Sequence, residues 1–271
     1  MRAIPRVIRK LSLRDFAYRV HKPAGGDSYF DIGWYHPMPF RIGEEIVDSH
    51  TLFGVRTNYP FKHSNILPEL WKEFVSEYQI QFGLSRSGKT LDNKIVWDIG
   101  PAEGLFSYLA ICEGAHSVEV VQPKNILGDR FLTFFAVSNL LKRVVMNFGY
   151  FPSKIPNQLP DLIICSGVLY HADNVQSFLN ETLRHKVPVF IETTIDLNES
   201  NRFIPTIHND GFSSNTTLHL SWLKMEIEKN NFKIFELHKY NLYCQDKENF
   251  VQNYDRHGTD TIRRWAALLV P

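Results

Sequence analysis

Apolar and polar positions change rhythm along the chain. Between residues 67 and 82, Leu70, Phe74, Tyr78 and Ile80 fall near helical spacing. From residue 94 onward, short apolar runs alternate with helix-like stretches. Strands are predicted over 94–99, 117–121, 143–148, 161–166 and 187–192, and helices over 103–113, 129–141, 174–185 and 218–230. The Leu-Ile-Ile-Cys run at 162–165 lacks polar alternation, which points to a strand buried on both faces. Two last strands are predicted over 232–238 and 262–270, with no helix between them, as a closing antiparallel hairpin. The order predicts an α/β fold with a doubly wound, mostly parallel, seven-stranded sheet. Ligands on such sheets bind beyond the strand C-termini, where the strand order reverses.

The first 82 residues follow another pattern. Residues 1–22 carry Arg2, Arg6, Arg9, Lys10, Arg14 and Arg19, with Ile4, Val7, Ile8, Leu11 and Phe16 near helical spacing. Two readings stand: a helix packed on the domain, or a basic amphipathic surface for a membrane or RNA. Residues 28–65 are rich in aromatics, Pro and Gly, and read as an irregular lid. The expected organisation is a cap over 1–82 and a ligand-binding domain over 83–271.

Composition narrows the classes. The chain has 271 residues and a formal net charge of +1, so nucleic acid would have to be met by a local patch. Its three cysteines, Cys112, Cys165 and Cys244, form no CxxC pair, which fits a reducing cytoplasm rather than a disulfide framework. No apolar run reaches the roughly 20 residues of a membrane helix. His208 and His219 have no carboxylates at ligand spacing, so no metal is expected.

The chemistry is concentrated in Asp98-Ile99-Gly100-Pro101-Ala102-Glu103-Gly104-Leu105-Phe106. A strand ends there, a glycine turn follows and a helix begins. Glycines let the backbone approach a ligand, and the helix start offers free N–H groups. The dinucleotide fingerprint needs a glycine where Ala102 stands, which argues against NAD. Asp98 can orient the turn and accept hydrogen bonds from a cationic amino group. S-adenosylmethionine presents an ammonium and a carboxylate at its amino-acid end. About 20 residues on, an acid usually holds the ribose; here the second strand ends at Gln122, a weaker partner. Gly83-Leu84-Ser85-Arg86-Ser87-Gly88-Lys89-Thr90 satisfies the P-loop pattern. It follows a helix and leads into a strand, the reverse of the required order, and is read as a connecting loop.

At this point the sequence resembles the class I S-adenosylmethionine-dependent methyltransferases. The stretch Ser166-Gly167-Val168-Leu169-Tyr170-His171 resembles the fourth-strand "GVLYH" motif of one branch. That branch includes the enzymes completing the 5-oxyacetate modification of the tRNA wobble uridine. Trp34-Tyr35-His36 resembles a W-Y/F-H element of the branch, Glu192-Thr193 its "ET" strand end, and 201–232 the stretch into its last helix. The likeness covers roughly residues 30–270. It implies the Rossmann-like methyltransferase fold with S-adenosylmethionine as cofactor and S-adenosylhomocysteine as product. Two departures stand out. Ile42 aligns with a lysine of the wobble-uridine enzyme, and Ala172 and Asp173 replace its basic pair after the motif. Both argue against its carboxylated cofactor.

The expected cofactor contacts are Trp34, Asp98, Gly100, Pro101, Ala102, Glu103, Gly104, Phe106, Gln122, Asn147, Ser166 and Gly167. Trp34 and Tyr170 would wall the sulfonium, and Asn147 would reach the adenine amino group. His171 is the candidate general base, with Tyr170 beside it; a helix-capping or backbone hydrogen-bonding role is the alternative for His171. Tyr35, His36, Arg41 and Glu192 are candidates for holding the acceptor, and an ion pair with an arginine is the alternative for Glu192. The expected activity is methyl transfer to an oxygen or nitrogen of a small molecule or glycan. A tRNA methyltransferase and a non-catalytic cofactor-binding module are the competing readings.

Overall fold

A computed structural model describes residues 37–42, 45–49, 66–85, 87–123, 126–197, 204–206, 215–245 and 262–271. The expected N-terminal helix, Trp34, Tyr35, His36 and most of the expected lid lie outside these residues. The described part of residues 28–65 is regular rather than irregular. Strands β1 (Pro39–Ile42) and β2 (Glu45–Asp48) form an antiparallel pair. Phe40 is buried edge-on against Phe134, so the pair is fastened to the main core.

Helix α1 (Leu67–Phe82) opens with proline in its first turn and stops at Gly83, whose φ of 62° only glycine adopts freely. The alternation then proceeds through β3 (Ile95–Ile99), α2 (Leu105–Cys112), β4 (Ser117–Gln122), α3 (Ile126–Val137), β5 (Val144–Phe148), β6 (Leu162–Ser166), α4 (Val175–Arg184) and β7 (Val189–Asp196). Short strands β8 (Ile204–Thr206) and β9 (Asn215–His219) lead to α5 (Leu220–Lys229), β10 (Lys233–Glu236), α6 (His238–Gln245) and β11 (Ile262–Val270). The segment at 83–92 is a helix-to-strand connection, as its order in the sequence requires.

The main sheet runs β10-β11-β7-β6-β3-β4-β5, with β9 added beside β7. β3, β4, β5, β6 and β7 are parallel, and β11 runs antiparallel to both β7 and β10. The antiparallel closure matches expectation, but α6 stands between the two strands. Its N-terminus is capped from far away. The Glu73 carboxylate accepts the backbone N–H groups of Lys239 and Tyr240 at 2.9 and 3.1 Å. β7 extends four residues past its expected end because Thr193, Thr194, Ile195 and Asp196 pair with β11. The expected helix at 218–230 begins later, since Leu218 and His219 belong to β9.

Apolar residues from both faces of the sheet build two cores. One face packs Val96, Val120, Ile164 and Phe190 against α1, α2 and α3, with Trp71, Phe74 and Phe106 clustered on Phe190. The other packs Trp97, Ile163 and Ile191 against α4 and α5. Each large side chain sealed here contributes roughly 1.5–3 kcal/mol. The strand order reverses at β3 and β6, so the loops after these strands flank the switch point.

Candidate active site

The turn after β3 is the first half of the site. Gly100, Ala102 and Gly104 have φ of 67°, 52° and 91°. A Cβ on Gly104 would lie 2.6 Å from the Phe131 ring, and one on Gly100 would lie 2.6 Å from Val168 Cγ2. Both glycines are therefore demanded by close packing as well as by backbone angle. Pro101 and Glu103 are buried while Gly100 and Ala102 are half-exposed, so the turn offers backbone on its outer side.

Asp98 is buried at the end of β3 and accepts the Ser107 hydroxyl at 2.5 Å. Burial pushes its carboxyl up to about 7, against the hydrogen bonds from Ser107. A desolvated carboxylate of this kind suits an ammonium neighbour. Gln122, at the end of β4, donates through Nε2 to the Ala102 carbonyl at 3.2 Å and so braces the turn. Glu103 faces inward and pairs with Arg130 of α3 at 2.9 Å. Phe106 is buried against Trp71 and Phe190. The turn, its braced Gln122 and its buried carboxylate fit the amino-acid and ribose ends of S-adenosylmethionine.

The second half follows β6. Ser166 donates to Glu192 Oε2 at 2.9 Å, and Gly167 donates its backbone N–H to the Glu192 carbonyl. Gly167 has φ 66°, and a Cβ there would lie 3.5 Å from an Arg264 nitrogen and 4.0 Å from the Tyr170 hydroxyl. Arg264 holds Glu192 with two hydrogen bonds, Nε to Oε1 at 2.5 Å and Nη2 to Oε2 at 2.7 Å. Its Nη1 donates to Thr194 at 2.9 Å, and Tyr240 donates to Glu192 Oε1 at 2.8 Å. Burial opposes the charge on Arg264, but Glu192, Tyr170 and Tyr240 outweigh it and keep the guanidinium protonated. Burial and then Glu192 push the Tyr240 phenol well above its ordinary range. The Arg264 guanidinium carbon lies 5.2 Å from the Tyr170 ring centroid. Glu192 thus takes the ion-pair role that was its alternative in the sequence.

Val168 packed on Gly100 brings the halves together. Tyr170 and His171 occupy a short 3-10 turn beyond β6, with ring centroids 4.1 Å apart. His171 is exposed there, and its backbone N–H reaches the Val168 carbonyl. Asn147 does not join the turn by hydrogen bonding: its amide reaches Glu119 at 3.5 Å, and Glu119 anchors the backbone of Asn157 and Gln158. Arg41 is exposed on β1. Among the described residues, no group of three His, Cys, Asp or Glu side chains is placed to hold a metal ion, and no helix is long and apolar enough to cross a membrane.

Comparison with known proteins agrees with this topology. No family model matches the chain. The N-terminal domain of EvdMO1, solved in the presence of SAH and D-fucose, superposes with a TM-score of 0.59 over 94% of each chain at 10% identity. An S-adenosylmethionine-dependent methyltransferase from Mesorhizobium loti superposes with a TM-score of 0.50, over 75% of this chain and 96% of that one, at 12% identity. This is the class I methyltransferase fold. A tRNA U34 carboxymethyltransferase of Ruthia magnifica subsp. Calyptogena magnifica is 30% identical over 122 residues. That match covers 43% of this chain and 38% of the relative, so the chain is matched to well under half of that relative's length.

The methyltransferase fold places side chains at the site that the sequence reading missed. Arg130, Arg264, Thr194 and Tyr240 are the main ones. Arg264 had a signal: it lies next to the apolar run Trp-Ala-Ala-Leu-Leu-Val of β11, and a buried strand charge needs a partner. Tyr240 had none, because its helix is capped by a residue on α1.

Proposed function

We propose that the chain is an S-adenosylmethionine-dependent methyltransferase whose acceptor is an oxygen or nitrogen of a small molecule or glycan. The observation carrying this reading is the turn Gly100-Pro101-Ala102-Glu103-Gly104 at the switch point, with the desolvated Asp98 beneath it. Asp98 and the turn backbone would take the amino-acid end, and Gln122 the ribose. Bound there, the cofactor supplies an electrophilic methyl group on a sulfonium, open to in-line displacement. The chain's part is to align the acceptor, exclude water and receive its proton. Exposed His171 is the base in this reading, with Tyr170 as the wall beside it. Ser166 and Gly167 would contact the cofactor and Arg41, exposed on β1, would hold the acceptor; the further candidates Trp34, Tyr35 and His36 lie outside the described residues.

A tRNA acceptor is the second reading, favoured by the partial match to the tRNA U34 carboxymethyltransferase. Transfer of a carboxymethyl group would need a cation for the extra carboxylate. Arg264, which lies against Tyr170, is already neutralised by Glu192, and Ala172 and Asp173 follow His171. These features favour plain methyl transfer.

The test is calorimetric titration with S-adenosylmethionine and S-adenosylhomocysteine. Micromolar binding of both is expected, with tRNA and small-molecule acceptor screens to follow. Absence of binding to either ligand would remove the methyltransferase reading and leave the fold alone. Binding without turnover on any acceptor would favour the non-catalytic module.

A further inference from the structure

Arg130 lies on α3, outside every motif that the sequence brought forward. It is 2% exposed, and its partner Glu103 is 0% exposed. Burying two charges costs desolvation that their attraction only partly returns, and an apolar pair fills such a space as well or better. What a guanidinium–carboxylate pair adds is direction. The direction matters at Glu103, which stands between Ala102 and Gly104, both in left-handed backbone. An L residue such as Ala102 adopts that conformation only when its surroundings impose it. The neighbouring residue of the same helix, Phe131, presses its ring under Gly104. Two consecutive α3 side chains therefore grip two consecutive turn residues, while Gln122 holds the Ala102 carbonyl from β4.

We infer that Arg130 is a positioning residue: through Glu103 it fixes the turn that receives the amino-acid end of the cofactor. The inference rests on the methyltransferase reading for the ligand's identity but not for its mechanical part. Arg130 is sealed from solvent behind the turn and acts through Glu103. Its loss is felt where the turn backbone meets the ligand, and not at the nucleoside end.

Two ligands separate these ends. S-adenosylhomocysteine carries the amino-acid group, and 5′-methylthioadenosine lacks it while keeping the adenosine. Two variants are compared with the unaltered protein: Arg130→Met, and Arg130→Met combined with Glu103→Gln. The double variant removes both charges of the pair and keeps the test alive should the single variant fail to fold. Affinity for S-adenosylhomocysteine is expected to fall about tenfold, the scale of one charge-assisted hydrogen bond, and that for 5′-methylthioadenosine by less than about twofold. In the unliganded protein, amide hydrogen exchange should quicken at residues 100–104 and stay unchanged in β3 and β6. Equal losses for the two ligands, or unchanged exchange in the turn, would overturn the inference. If the unaltered protein bound neither ligand, the methyltransferase reading would fall; the exchange comparison would still decide whether Arg130 holds the turn.

Discussion

The two halves of the site each rest on a buried glutamate–arginine pair, yet they are assembled differently. In the turn after β3, Glu103 belongs to the same short segment as Asp98, the glycines and Ser107, and Arg130 comes from the next helix but one. Beyond β6, Glu192 gathers Ser166, Tyr240 and Arg264, the last of them 72 residues away. The first half is a local backbone shape clamped from behind. The second is a junction of distant elements, complete only when β11 has inserted beside β7. A local turn tolerates a lost clamp better than a junction tolerates a lost hub, because neighbouring residues still bias its shape.

That contrast can be broken most severely at Arg264. Arg264→Met would leave Glu192 buried without its main countercharge, at a cost of about 3–5 kcal/mol. Urea unfolding should show this as a lower midpoint, with much of the loss restored by adding Glu192→Gln. A loss below about 1 kcal/mol would mean that the junction is not the hub.

A smaller effect is expected in the turn. Gly104→Ala forces a Cβ against the Phe131 and Phe135 rings and keeps a left-handed φ, costing about 1–3 kcal/mol. The same variant should weaken S-adenosylhomocysteine binding more than it lowers the unfolding midpoint. Unchanged stability together with unchanged binding would show that the close approach to Phe131 is dispensable.

A third effect is a slope with pH. Asp98 is raised from 3.8 to about 7 by burial, so the folded protein binds its proton more tightly than the unfolded chain. The associated stability is full below about pH 4 and is lost as pH rises through about 7. Asp98→Asn should flatten the stability profile of the unliganded protein across that window. A profile with the same slope in both proteins would place the titrating group elsewhere.

Much of the parallel half was legible in the chain because its signals are local. Apolar runs marked β3, β4 and β6, and Gly100 and Gly104 marked the turn. Other features carried misleading local signals. The polar Thr193-Thr194-Ile195-Asp196 stretch reads as a loop end, yet its backbone pairs with β11. Helix α6 buries Tyr240, Asn241 and Cys244 and exposes Leu242, an arrangement that shows no clear apolar stripe. Asn147 sits at a strand end as expected, but Glu119 on the neighbouring strand claims its amide.

The sequence by itself determined the alternation of elements, the sheet's buried centre and the place of the glycine turn. Each depends on residues within a few positions of one another, where periodicity and backbone freedom act directly. Tertiary structure alone decided which arginine meets which glutamate, which helix Glu73 caps and which side chains meet at Glu192. Those choices follow from register and packing between segments far apart in the chain, and a buried charge accepts whichever partner the fold delivers to it.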